Sequence, residues 1–142
     1  MNCPFCDSDI IRKQSFFKSK NFFCLYNIRP LFPGHSLLIP KKHIKSFLEL
    51  KDSTTKEFFK ILKKVSKALI KTYKADGINL VIQDGKYARQ SIKHFHIHLI
   101  PRKKGDIKGN PTDWFLKFIS NKERNVSRKE ISKNINLIRK NL

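Results

Sequence analysis

Three histidines, His94, His96 and His98, alternate with Phe95, Ile97 and Leu99 in the stretch KHFHIHLIPR. Strict alternation suits a strand, whose successive side chains point to opposite faces. The apolar set would then meet a core while three imidazoles share the other face. A lone histidine on such a face reads most simply as a hydrogen-bonded structural residue. Three in register, in a chain with five histidines among 142 residues, read as a site, because burying polar rings without partners is costly. Residue chemistry leaves two uses open. Neighbouring imidazoles can chelate a metal. Alternatively they can act on an anion, since neutral imidazole attacks and imidazolium stabilises negative charge.

The flanking sequence supplies the scaffold. IIRKQSFF (10–17) and NFFCLYN (21–27) read as strands joined by a turn at Ser19-Lys20-Asn21. RPLFPG is a Pro- and Gly-punctuated loop that leads into HSLLIP, a third strand. KKHIKSFLEL reads as a short helix or turn. TTKEFFKILKKVSKALIKTY is the clearest helix: Phe58, Leu62, Val65, Leu69 and Thr72 repeat at three and four. Thr54 with Glu57 is a candidate capping box, and Asp76-Gly77 a candidate stop. INLVIQD predicts a strand, GKYARQSIK a polar loop and HFHIHLIP a final strand. DWFLKFI predicts a helix, and SRKEISKNINLIRKNL a basic amphipathic helix capped by Ser127 and Glu130. Strands, then a helix, then strands predict an α+β domain with a mainly antiparallel sheet.

The length fits one domain, with a core over residues 1–105 and a helical extension of the same domain over 106–142. No apolar run approaches the roughly 20 residues needed to span a bilayer, and no signal-peptide pattern follows Met1. Both point to a cytoplasmic protein with no membrane partner. The formal net charge of +20 attracts polyanions. Lys outnumbers Arg 24 to 7, however, and is spread along the chain. A nucleic-acid surface more often shows dense Arg stripes with interleaved aromatics, so nucleic acid is not the favoured partner. Cys24, inside FFCLY, reads as a small core residue. Cys3 and Cys6, in CPFC, have a spacing that suits tetrahedral zinc, although a redox pair or chance would give the same pattern.

HFHIHLI resembles the signature of the histidine triad superfamily, His-x-His-x-His followed by apolar residues. The likeness extends to the fragile histidine triad branch, the dinucleoside polyphosphate hydrolases, over roughly residues 3–104. NIRPLFPGHSLLIP resembles that branch's segment with a ribose-binding Asn and a phosphate-binding His, here Asn27 and His35. QDGKYARQSIKHFHIHLIPRK resembles its Gln-Asp-Gly, Gln-Thr/Ser and Pro-Arg arrangement. The resemblance implies a sheet of about five antiparallel strands with one long helix; the C-terminal helices, read from the residues alone, lie outside it. It also implies a homodimer formed through that helix and a strand.

The resemblance also implies residue roles. His96 is the nucleophile that attacks an α-phosphorus and becomes nucleotidylated. His98 holds a non-bridging oxygen, and His35 approaches from the neighbouring strand. Gln83 contacts the leaving side, and Gln90 with Ser91 holds further phosphate oxygens. CPFC is similar to the start of many bacterial histidine triad proteins. There a His after the phosphate-site strand and the first triad His complete a zinc site, which implies a structural zinc on Cys3, Cys6, His43 and His94. The expected substrate is a dinucleoside polyphosphate such as diadenosine tri- or tetraphosphate. The rivals are a nucleoside phosphoramidate hydrolase, a deadenylase acting on DNA ends, and a nucleotide-binding protein without catalysis. HLIPR stands where the phosphoramidate branch usually has Gly, no zinc-finger module follows the domain, and an intact triad argues against the last. Arg89 departs from the branch, which has Gly there: the cation either meets the polyphosphate or sits in solvent.

Overall fold

In the computed structural model, residues 2–120 and 125–142 are described. Helix α1 (Ser8–Gln14) leads into strands β1 (Ser15–Lys18), β2 (Phe22–Tyr26) and β3 (Ser36–Pro40). A 3-10 turn (Phe47–Glu49), the long helix α2 (Asp52–Tyr73) and strands β4 (Gly77–Ile82) and β5 (Ile97–Arg102) follow, then α3 (Asp113–Ser120) and α4 (Arg128–Arg139). The five strands form one antiparallel sheet in the order β1-β2-β3-β5-β4. The expected α+β class and five-stranded sheet are therefore present. Among the described residues no helix is long and apolar enough to cross a membrane.

Alternation divides the apolar residues between the two faces of the sheet. Phe22, Cys24, Leu38, Ile97 and Leu99 join the main core. Onto this face α2 packs Phe58, Leu62, Val65 and Leu69, and α4 packs Ile131, Ile135 and Ile138. Each fully buried large side chain contributes about 1.5–3 kcal/mol before entropy is subtracted. Leu25, Leu37 and Ile39 point the other way and meet Phe5 from the N-terminal segment. Leu31, Phe32 and Ile100 form a third cluster, against which Trp114 and Phe118 of α3 pack.

Several local expectations are corrected. Ile10–Gln14 is helical and strand β1 begins only at Ser15. The Asp7 carboxylate accepts from the N–H groups of Asp9 and Ile10 and starts a helix that the β-branched pair Ile10-Ile11 obscures. Helix α2 starts at Asp52, two residues before Thr54, and no side chain caps it. Thr54 donates its hydroxyl to the Lys51 carbonyl. Glu57 instead accepts from Ser19 (2.6 Å) and from the Asn21 side chain (2.6 Å), tying the β1–β2 turn to α2. The helix ends at Lys74, which adopts a left-handed conformation with φ 50°, before Gly77 opens β4. A capping box does form at Ser46 and Glu49, ahead of the 3-10 turn. At α4 the Ser127 hydroxyl accepts from the Glu130 N–H, which is one half of the expected capping box.

The correction nearest the site concerns the histidines. The β5 ladder starts at Ile97, so His94 and His96 precede the paired strand and only His98 lies within it. Phe95 nevertheless keeps its inward face, donating its N–H to the Ile44 carbonyl (2.7 Å) and packing in the core.

Candidate active site and metal cluster

The loop between β2 and β3 turns on Gly34, whose φ is 90° and whose hypothetical Cβ would lie 2.5 Å from the Tyr73 ring. Only glycine fits a turn with both constraints. The turn delivers His35 to the start of β3, where Leu37 pairs with His98 across the ladder. The Leu31 N–H donates to His35 Nδ1 (3.0 Å), so that nitrogen carries the lone pair and Nε2 the proton. Nε2–H then donates to His98 Nδ1 at 2.9 Å. His98 must therefore hold its own proton on Nε2, where it can serve as a donor. The Asn27 amide nitrogen lies 3.3 Å from His35 Nε2, and its carbonyl oxygen accepts from the Arg29 N–H.

His96 is oriented by a different partner. Its Nδ1–H donates to the backbone carbonyl of His94 (2.8 Å), which leaves the lone pair on Nε2. No described residue bonds that nitrogen. The His96 and His98 rings are 4.9 Å apart, edge to face.

Burial fixes the charge of the cluster. His35 is 2% exposed, and burial, then the nearby His96, hold it down at about 3. Burial, with His35 and His96 beside it, holds His98 well below the usual imidazole range. Burial lowers His96 as well, an effect partly offset by the carbonyl that accepts its proton. All three are neutral at pH 7, the state a nitrogen lone pair needs in order to attack.

His35, His96 and His98 open onto a cavity of about 660 Å³ that Asn27, Gln83 and Ser91 also line. Six of the seven residues singled out for catalysis or substrate contact are therefore brought together. Gln90 is not among the cavity residues. Its amide accepts from the Gly85 N–H (2.9 Å) and donates to the Lys45 carbonyl (2.7 Å), which braces the β4–β5 loop. The same loop is pinned by Ser46, which donates to Asp84 at 2.6 Å.

Further lining residues extend the cavity beyond these six. Phe5, Ile10, Leu37 and Ile92 give one part of the cavity an apolar wall. Arg29, Arg89 and Lys117 give it three cations, with no carboxylate among the described lining residues. Helix α3 covers the histidines: the Phe118 ring meets His98 edge-on at 4.9 Å. This helix is part of the site, since Lys117, Phe118, Ile119 and Ser120 all line the cavity.

The remaining histidines belong to a second cluster. One ligand atom from each of Cys3, Cys6, His43 and His94 falls within 4.8 Å of the others. Cys3 Sγ is 3.4 Å and Cys6 Sγ 3.6 Å from His94 Nδ1, and Cys6 Sγ is 3.2 Å from His43 Nδ1. A tetrahedral ion with Zn–S near 2.3 Å and Zn–N near 2.05 Å requires S···N edges of about 3.6 Å, so the donor set fits such an ion with only small adjustment. His94 Nε2–H donates to the Pro40 carbonyl (2.9 Å), which fixes its Nδ1 lone pair toward the thiols. The other ring nitrogen of His43 is buried without a partner. Burial, then the neighbouring Cys3, push the Cys6 thiol above its ordinary range, so Cys6 needs a cation to be held as a thiolate. The four residues can hold a metal. Phe5, inside the CPFC knuckle, joins the two clusters, lying edge-on to His94 at 5.7 Å and to His96 at 5.2 Å.

Comparison with known proteins places this geometry among relatives. The family model described as the HIT domain matches residues 9–105. A bis(5'-adenosyl)-triphosphatase of Saccharomyces cerevisiae is 38% identical over 132 residues, covering 80% of this chain and 63% of the yeast protein. The chain thus spans just under two thirds of that relative's length. A solved hypothetical histidine triad nucleotide-binding protein from Sulfolobus tokodaii superposes with a TM-score of 0.80 at 29% identity, covering 98% of this chain and 91% of that one. A zinc-bound histidine triad family protein from Mycobacterium smegmatis gives 0.74 at 27% identity, covering 99% and 93%.

Proposed function

This chain belongs to the HIT domain family, and we propose that it hydrolyses dinucleoside polyphosphates such as diadenosine tri- or tetraphosphate through a nucleotidyl-His96 intermediate. The observation that carries the reading is the His96 Nδ1–H bond to the His94 carbonyl. It presents a neutral, unpartnered Nε2 to a cavity whose described lining holds cations and no carboxylate. The name of the yeast relative supports the substrate class.

In the first step the Nε2 lone pair forms a bond to the α-phosphorus. The bond from that phosphorus to the oxygen bridging to the β-phosphate breaks, and a nucleoside polyphosphate leaves with the electron pair. In the second step water attacks the same phosphorus, releases a nucleoside monophosphate with loss of a proton, and restores His96. Splitting one displacement into two makes each easier. His98 Nε2–H donates to a non-bridging oxygen as charge builds there, and His35 holds His98 in the tautomer that can donate. Asn27 contacts the ribose, Gln83 the leaving side and Ser91 a phosphate oxygen. Gln90 acts through the loop that presents Ser91. Phe5, Ile10, Leu37 and Ile92 offer the base an apolar slot.

Zinc is the metal we assign to Cys3, Cys6, His43 and His94, the donor set of many structural sites. With four protein ligands it supplies a rigid knuckle rather than an open coordination position. The edge strand β4 exposes Leu80 and Ile82, and α2 exposes Phe59; these suit a homodimer of a cytoplasmic protein. Residues 1–105 form the catalytic core and 106–142 an extension of it. The test is a chromatographic assay with diadenosine tri- and tetraphosphate. Hydrolysis by the wild type, with a loss of at least about a thousandfold in His96→Asn, supports the proposal; equal rates for the two proteins would end it.

A further inference from the structure

Among the described residues, Lys74 and Arg89 alone combine a side chain with positive φ. Lys74 closes a helix, a common place for that conformation. Arg89, at φ 67°, ends a tight turn in which its N–H donates to the Lys86 carbonyl (3.1 Å) and the Gln90 N–H to the Gly85 carbonyl (3.1 Å). The left-handed region favours glycine, and Asn or Asp tolerate it through local hydrogen bonds; arginine has neither advantage. The Arg89 side chain makes no hydrogen bond or ion pair with any described residue, and it lines the histidine cavity. The turn therefore carries a residue that disfavours its backbone, and nothing within the described fold compensates.

The other cavity cations are engaged. Arg29 donates Nε–H to the Asn125 side chain at 2.8 Å, and the Lys117 ammonium stands 5.3 Å from the Phe32 ring centre. Arg89 enters on the same loop as Gln83 and Ser91, whereas Asn27 and Arg29 enter on the β2–β3 loop. The loop brace made by Gln90 and by the Ser46–Asp84 bond holds its backbone in place. A guanidinium on a braced loop, with no acidic residue among the described lining of the same cavity, is suited to bidentate contact with phosphate oxygens.

We propose that Arg89 binds the departing polyphosphate and makes the enzyme selective for leaving groups that carry phosphate. The inference rests on the nucleotidyl-transfer reading above. As the bond from the α-phosphorus breaks, negative charge grows on the departing oxygen and the chain behind it. A guanidinium held there stabilises the transition state more than the ground state. A substrate with the same nucleotidyl group but a phosphate-free leaving group gains nothing from it.

The experiment compares kcat/KM for diadenosine tetraphosphate with kcat/KM for the p-nitrophenyl ester of adenosine 5'-monophosphate. The proteins are the wild type, Arg89→Gly, Arg89→Asn and Arg89→Lys. Glycine and asparagine suit the turn's backbone, so these variants fold, and the glycine variant should melt no lower than wild type. The expected result is a fall of about tenfold or more in the tetraphosphate-to-ester ratio for Arg89→Gly and Arg89→Asn. Arg89→Lys should recover part of it. A ratio within about twofold of wild type in both neutral variants would overturn the proposal. So would equal losses on both substrates, which would make Arg89 a support of the loop. A wild type that turns over neither substrate would instead remove the nucleotidyl-transfer reading, and this inference with it.

Discussion

Lowering the pH from 7 to 5 should destabilise this protein through His35, and the size of the effect follows from its burial. The ring is 2% exposed, accepts the Leu31 N–H on Nδ1 and donates from Nε2 to His98. A proton on Nδ1 would break the first of these bonds and place a charge in the interior. Burial accordingly holds the group at about 3, against about 6.5 in an unfolded chain. Below the unfolded value the denatured state takes up a proton that the native state refuses, so stability falls as pH falls. The contribution is intact above about pH 6.5 and is lost progressively toward pH 3. Between pH 7 and pH 5 the loss from this one residue is about 2 kcal/mol, since each pH unit below the unfolded pKa costs about 1.4 kcal/mol. That figure hardly depends on the native value as long as it stays well below 5. Urea unfolding at the two pH values, on wild type and His35→Gln, isolates the effect of this residue, because the two proteins share every other titratable group. The wild type should lose about 2 kcal/mol more than the variant; equal losses within about 0.5 kcal/mol would refute a buried, neutral His35.

Two further outcomes follow from the same framework. Gly34→Ala, with its Cβ 2.5 Å from Tyr73 at φ 90°, should cost more than about 1 kcal/mol in a denaturant titration and reduce nucleotide hydrolysis by displacing His35. Cys6→Ser should lower bound zinc from about one ion per chain to near zero by elemental analysis. It should also lower the melting temperature, whereas an unchanged zinc content would place the metal elsewhere.

Period and chemistry make the scaffold readable, and ambiguity arises where two local signals compete. The stripe on α2 and the inward set Phe95, Ile97 and Leu99 are legible because apolar residues recur at helical or strand spacing chiefly where one face is buried. Ile10-Ile11 misleads because β-branching argues for a strand while Asp7 caps a helix. Glu57 sits at capping-box spacing from Thr54, but long-range bonds to Ser19 and Asn21 win its carboxylate. The cysteine and histidine set is legible through CPFC and the resemblance. That Phe5 between those cysteines reaches the His96 ring is not, because the contact spans 91 residues of chain. Gln90 is recognisable as a motif residue, but its use of both amide ends inside the loop is a matter of geometry. Helix α3 announces itself as apolar, yet nothing in DWFLKFI indicates that Phe118 covers His98.

Trapping the intermediate tests the nucleophilic role of His96 head-on. Wild type and His96→Asn are mixed with excess diadenosine tetraphosphate and quenched in denaturant within milliseconds. Intact mass followed by peptide mapping then locates any adduct. One adenylyl group should appear on the wild type, mapped to His96 and absent from the variant. An adenylyl group on another residue, or rapid turnover by the wild type with no adduct at any quench time, would contradict that role.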